Sequence, residues 1–376
     1  MTSIRRAAAA VLALVLPLPI ADAATAFAAA PSAVVSTDPA PTGFAAALPS
    51  PTGPYAVGRQ MLHLVDEHRQ DPWVPSAGLR QLMVSMYYPA QPGSGAPAPY
   101  MTTDEARLFL QEKAPNRGIP PEAVTAVRTW ARADARPVPG RFPLVLLSPG
   151  LAFSRALFSS VAEDLASRGY VVALIDHTYE TPGVTFPDGR MLACTICDRL
   201  PAGGLEAVAE SRAKDAFFVI EQVTSPHSSW KYARLIDHRR IGMAGHSIGG
   251  AATAATMAAD HRVRAGVNMD GTFHPSVPAT GLDGRPFLLF GAQSDETPGT
   301  DDTWLLLLGG NERGTDTATR VHALRGIQLT EDGAAVVGRE VWFSRTATPS
   351  GTMPAPSAGG PSSSCALSAR CGSGGC

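Results

Sequence analysis

Apolar residues change their spacing along this chain, and the changes predict alternating strands and helices. Pro143-Leu144-Val145-Leu146-Leu147-Ser148 is a short apolar run, the mark of a strand buried on both faces. The helix after it is expected to carry Ala156, Leu157, Val161, Leu165 and Ala166 on one side and to end at Gly169. Tyr170 to Ile175 reads as the next strand. From Leu205 to Val223 the spacing of Val208, Phe217, Ile220 and Val223 is helical. Arg240 to Ala244 follows as a strand and Ile248 to Ala259 as a helix of small residues. Val263 to Met269 and Phe287 to Phe290 are two more strands. Upstream, Leu82 to Tyr88 reads as a strand ended by Pro89. Strands alternating with helices predict a mostly parallel sheet with helices on both faces.

The two ends of the chain are of another character. Arg5 and Arg6 precede a run, Ala7 to Ile20, that is almost wholly apolar, and small-x-small patterns follow at Ala21-Asp22-Ala23 and Ala26-Phe27-Ala28. This predicts a secretory signal peptide over residues 1–23, and hence export. Residues 24–50 are Ala, Pro, Ser and Thr with little pattern and read as a flexible linker. The folded domain is expected over 51–345. Leu305 to Leu308 is apolar, but the periodicity weakens after Trp304. Residues 346–376, rich in Ser, Gly, Pro and Cys, read as a disordered tail. An out-of-frame translation of GC-rich DNA would produce such a composition.

Charge narrows the function classes. The net charge is −2, and the only lysines are Lys113, Lys214 and Lys231, so nothing argues for a nucleic-acid partner. The five cysteines bear on both compartment and metal chemistry. Cys194 and Cys197 form a C-x-x-C, for which a disulfide is the first reading in an exported protein. A zinc site would need two further ligands at suitable spacing near Cys194, and none is present. No metal and no cofactor are expected.

Gly245-His246-Ser247-Ile248-Gly249 matches G-x-S-x-G, between a strand ending at Ala244 and a helix starting at Ile248. That context is a nucleophile elbow, and it predicts the α/β-hydrolase fold with Ser247 as nucleophile. Gly245 and Gly249 would allow strand and helix to cross closely. A serine hydroxyl needs a base, and the base needs an orienting carboxylate. In this fold the chain order is Ser, acid, His. Asp270 ends the next strand, 23 positions after Ser247, and is the expected acid, with Asp295 the second candidate. Of the histidines after Ser247, His261 falls at the wrong end of the sheet. His274 lies only four residues past Asp270, and His322 has the expected order, after a weak strand at Thr319-Arg320-Val321. His322 is the expected base. The oxyanion needs two backbone N–H donors. Ile248 is expected to give one, and Leu151, in the loop Ser148-Pro149-Gly150-Leu151-Ala152-Phe153, the other.

These segments resemble a known family. Phe142-Pro143-Leu144-Val145 with Ser148 and Gly150, then Asp164-Leu165-Ala166-Ser167 with Gly169-Tyr170 and Val172, are similar to the platelet-activating factor acetylhydrolase isoform II family, the group VII phospholipases A2. So are Ile241 to Gly250 around the elbow, Gly53 to Gly58, and Tyr87-Tyr88-Pro89-Ala90. The resemblance covers roughly Pro51 to Trp304. It implies metal-free hydrolysis of short or oxidised acyl chains from phospholipids or related lipid esters, with transient contact to a lipid surface. Two departures stand out. Pro149 replaces the histidine usual before Gly150, and Ala323-Leu324-Arg325-Gly326 replaces the aromatic and acidic segment usual after the catalytic histidine. Rival readings are a cutinase-like lipase or polyester hydrolase, and an inactive binding protein on a hydrolase scaffold.

Overall fold

The computed structural model describes residues 46–275, 277, 281–292, 326–329 and 335–337. The expected signal peptide, most of the expected linker, Asp295, His322 and the expected tail lie outside the described residues.

Two long strands open the fold, β1 (Ala56–Gln70) and β2 (Leu79–Ala90). Two-residue strands β3 (Ala96–Pro97) and β4 (Arg132–Ala133) bracket helices α1 (Thr103–Lys113) and α2 (Pro121–Thr125). Then the alternation begins with β5 (Phe142–Ser148), α3 (Ser159–Ser167) and β6 (Val171–His177). A small hairpin, β7 (Gly183–Thr185) with β8 (Met191–Ala193), leads to α4 (Gly204–Thr224). After it come β9 (Ile236–His246), α5 (Ile248–Ala259), β10 (Val263–Met269) and β11 (Phe287–Ala292), with β12 (Gly326–Leu329) and β13 (Ala335–Val337) at the edge.

The main sheet has the order β13-β12-β11-β10-β9-β5-β6-β2-β1-β4-β3. From β12 to β6 every pairing is parallel, whereas β2 pairs antiparallel with β6 and β1 antiparallel with β2. This is the α/β-hydrolase architecture. Chain order and sheet order separate at β5. From it the chain moves first to β6 on one side and later to β9 on the other. In open α/β sheets such a switch point, at the carboxyl ends of the strands, is where ligands bind. Here it is flanked by the loop after Ser148 and by the turn at Ser247.

The core lies on both faces, as the apolar runs predict. In β6, Val171, Ala173 and Ile175 join the cluster that includes α4 and α5, while Val172 and Leu174 join Ala162 and Ala166 of α3. Trp230, 1% exposed, is the largest buried side chain among the described residues. It packs between Tyr88 and Tyr232 and donates Nε1–H to Gln60 Oε1 at 3.0 Å.

Four details differ from the sequence reading. The 15-residue β1 was not anticipated. Its wet face carries apolar Met61 and Val65, 40% and 38% exposed, while its buried face carries Gln60 and Asp66, so the alternation is broken. Phe217 has helical spacing yet is 48% exposed, beneath the Arg262 guanidinium. Val161 likewise faces outward, while its neighbour Ala162 is fully buried. The strand expected to stop before Pro89 runs on to Ala90, because Pro89 keeps register with Val57 and its carbonyl accepts Val138 N–H.

Candidate active site

The turn from β9 into α5 places Ser247 at φ 52° and ψ −124°, a conformation L-residues rarely adopt. Such a residue costs roughly 1–3 kcal/mol and persists only where its surroundings impose it. The surroundings are specific. Ser247 N–H donates to Met269 O at 2.9 Å, and Ser247 O accepts Gly250 N–H at 2.8 Å and Ala251 N–H at 3.2 Å. A Cβ on Gly245 would collide with the Gly249 backbone, and one on Gly249 with Ser148 O. The two glycines therefore let β9, α5 and the end of β5 converge. Gly249→Ala is expected to cost at least the ~1–3 kcal/mol of an overpacked core. A thermal melt in which the variant keeps the parent's midpoint would contradict this.

Asp270 follows β10 directly. Parallel pairing sets Met269 opposite His246, so the next residue on each strand, Asp270 and Ser247, leave the sheet side by side. Asp270 also has positive φ, 58°, and its N–H donates to Phe290 O at 2.6 Å. The preceding Asn268 side chain donates Nδ2–H to Gly271 O at 2.7 Å and braces the turn.

His246, between the elbow glycine and Ser247, lies under the other loop of the site. Its ring meets Phe153 edge-on at 5.7 Å and approaches Gly150. Burial lowers its pKa, which the charge of Asp270 partly opposes. His261 is exposed and pairs with Asp283 at 3.1 Å, between α5 and the start of β10, at the end of the sheet away from Ser247. His274 precedes Pro275, a few residues beyond Asp270.

Leu151 sits in a tight turn. Gly150 O accepts Phe153 N–H at 3.3 Å, and Ala152 at φ 60° donates its N–H to Glu180 O at 2.9 Å. Among the described residues the Leu151 N–H has no acceptor. Ile248 opens α5, where a backbone N–H has no intrahelical acceptor. The Leu151 side chain packs on the cluster that contains Ile248. Among the described residues two unspent N–H donors thus stand on neighbouring elements, the arrangement that would suit an oxyanion. Ile196, bracketed by the Cys194–Cys197 disulfide, belongs to the same cluster. Because that disulfide closes so short a loop, replacing both cysteines by serine should cost no more than about 2 kcal/mol. Denaturant titration under oxidising conditions would measure it.

Beneath the Leu151 loop lies a polar network that the sequence reading missed. Arg80, His177, Glu180, Arg212 and Asp215 are all fully buried. Arg80 donates to both oxygens of Asp215 at 3.2 and 2.7 Å and to Asp71 at 3.0 Å. Arg212 Nε–H donates to Glu180 Oε2 at 2.6 Å. His177 bridges Asp215 Oδ2 at 2.8 Å and Ser148 Oγ at 2.9 Å. Burial lowers the His177 pKa, and Arg212 adds to the effect. Burial would raise the Asp215 pKa, but the charge of Arg80, the His177 hydrogen bond and the charge of Arg69 together outweigh it and hold the carboxyl well below its ordinary value. Because a carboxylate can only accept, the His177 nitrogen that faces Asp215, Nδ1, is the one that carries a proton. The only signal in the sequence was charge inside apolar periodicity, Arg212 and Asp215 on α4 and His177 ending β6. His177, Glu180 and Asp215 bring ligand atoms within 4.8 Å of one another, a spacing that suits a metal. Arg69, Arg80 and Arg212 already occupy the carboxylate oxygens, so a cation would have to displace guanidinium groups.

Comparison with known proteins identifies the family. Residues 44–187 match the family model described as platelet-activating factor acetylhydrolase, isoform II. A probable 1-alkyl-2-acetylglycerophosphocholine esterase from Arthroderma benhamiae is 31% identical over 285 residues, 71% of this chain and 70% of that protein. The platelet-activating factor acetylhydrolase of Cavia porcellus is 24% identical over 166 residues, 36% of each chain. Among solved structures, a ferulic acid esterase from Streptomyces cinnamoneus is 41% identical, with a TM-score of 0.65 over 76% of each chain. The chain is a carboxylic-ester hydrolase and belongs to the platelet-activating factor acetylhydrolase isoform II family.

Proposed function

We propose that this chain is an exported serine esterase that removes short or oxidised acyl groups from phospholipids or related lipid esters. Ser247 Oγ attacks the ester carbonyl and passes its proton to His322. The N–H groups of Leu151 and Ile248 hold the oxyanion. His322 then protonates the leaving alcohol, and water hydrolyses the acyl-enzyme by the same route. Asp270 orients His322 and stabilises its charged form. The observation that carries this reading is Ser247 itself, at positive φ on the switch-point turn with Asp270 beside it. No metal enters any step.

A second reading has its own support. The 41% identity to a ferulic acid esterase favours an aromatic acyl group in place of an acetyl group. A panel of acetylated glycerophospholipid, methyl ferulate and long-chain triglyceride separates the two and tests the lipase alternative. The phospholipid is expected to give the highest kcat/KM. A tenfold preference for methyl ferulate would overturn the lipid assignment while keeping the serine mechanism.

A further inference from the structure

The buried network ends on the loop that carries Leu151, and it reaches that loop at two points. Arg212, from the middle of α4, donates through Nη1 to Pro149 O and lies 3.4 Å from Ser148 Oγ. Its Nε holds the Glu180 carboxylate, and the Glu180 main-chain carbonyl accepts Ala152 N–H. One guanidinium thus ties the residue two before Leu151 directly and the residue after it through Glu180. Ser148 is secured again by His177, whose Nδ1 faces Asp215. Ser148, His177 and Asp215 reproduce the hydrogen-bond order of a catalytic triad. All three are fully buried, so this serine is closed to substrate. On the opposite side, Ser148 O abuts Gly249 at the start of α5, next to Ile248. The loop is therefore clamped between the network and the elbow.

We propose that Arg212 is a positioning residue for the oxyanion hole, fixing the Leu151 N–H relative to that of Ile248 through Pro149, Ser148 and Glu180. The inference rests on the proposed roles of Ser247 and Leu151. Its chemical basis is that oxyanion donors act by being oriented before charge develops, so a loop free to drift loses transition-state binding more than substrate binding. Lysine at 212 keeps the charge but cannot span Glu180 and Pro149 with a planar fork.

The test uses the full chain and p-nitrophenyl acetate, with rates normalised to sites titrated to completion by a fluorophosphonate. Arg212→Lys is expected to lower kcat about 10- to 100-fold, short of the ~10²–10³ lost when an oxyanion donor is removed outright. Its KM should stay within about threefold, because ground-state contacts are kept. Ser148→Ala, which leaves all the charges in place, should lower kcat about fivefold, the worth of one neutral hydrogen bond. Trp230→Phe, which loses the bond to Gln60 far from the loop, should lower the melting midpoint with kcat unchanged. Wild-type kcat in titrated Arg212→Lys would overturn the proposal. So would a kcat loss in Trp230→Phe that matches it at equal loss of stability. If Arg212→Lys does not fold, Ser148→Ala decides, and an unchanged kcat there overturns it. Ser247→Ala run alongside separates the two readings. Retained activity in that variant refutes the site assignment, whereas a dead Ser247→Ala with a fully active Arg212→Lys refutes only the positioning role.

Discussion

Replacing Ser247 by alanine is expected to lower p-nitrophenyl acetate turnover by about 10⁴- to 10⁶-fold, the range in which serine enzymes lose their nucleophile. Labelling by a fluorophosphonate should vanish with it. The melting midpoint should hardly move, because alanine has the same backbone restrictions at φ 52°. Glycine at 247 should be equally inactive but more stable. It relieves roughly 1–3 kcal/mol of backbone strain, against about 0.4–1 kcal/mol of added chain entropy in the unfolded state. The midpoint of Ser247→Gly should therefore rise above that of Ser247→Ala. An alanine variant that still turns over ester would dismiss the nucleophile, and a glycine variant that melts earlier would dismiss the strain.

The second large effect concerns the acid. Asp270→Asn preserves side-chain shape and backbone turn but removes the charge that fixes the histidine tautomer and stabilises its imidazolium form. A loss of about 10³–10⁴ in kcat is expected, as in triads altered this way. The placement of Asp270 comes from strand register, not from proximity alone. It is the first residue beyond β10, as Ser247 is the first beyond β9, and the residues that end the two strands are paired. Asp295→Asn should leave the rate within a few-fold. If the two variants exchange behaviour, the acid is Asp295.

The central elements were legible because their chemistry is local. β5 and β6 are buried on both faces and read as apolar runs, and α5 could be bounded by the elbow and by Ala259. The strain at Ser247 and the need for Gly245 and Gly249 follow from a short motif in a strand–helix context. β1 was not legible, because its buried face carries Gln60 and Asp66 and its wet face Met61 and Val65, the reverse of what a period-2 pattern reads. The buried network escaped for a different reason. Its members come from β2, β6, α4 and the turns beside them, up to 135 residues apart, and each alone is only a charge in an apolar stretch. Pairing of that kind is a property of the tertiary fold. His322 and the weak strand before it fall outside the described residues, so the base rests on chain order.

The charge balance beneath the oxyanion loop also bears on how this enzyme can change. Arg69, Arg80 and Arg212 face Asp71, Glu180 and Asp215 in one interlocked set, and most of these groups are sealed from water. Removing one member leaves a buried charge uncompensated, at a cost of about 3–5 kcal/mol, a large part of a domain's total stability. Replacing two opposed members together by apolar residues of similar volume can be neutral. The set is therefore an epistatic block. Single-site libraries across Arg80, Glu180, Arg212 and Asp215 will return almost only inactive clones, whereas paired libraries at Arg212 and Glu180 give access to loop geometries that no stepwise path reaches.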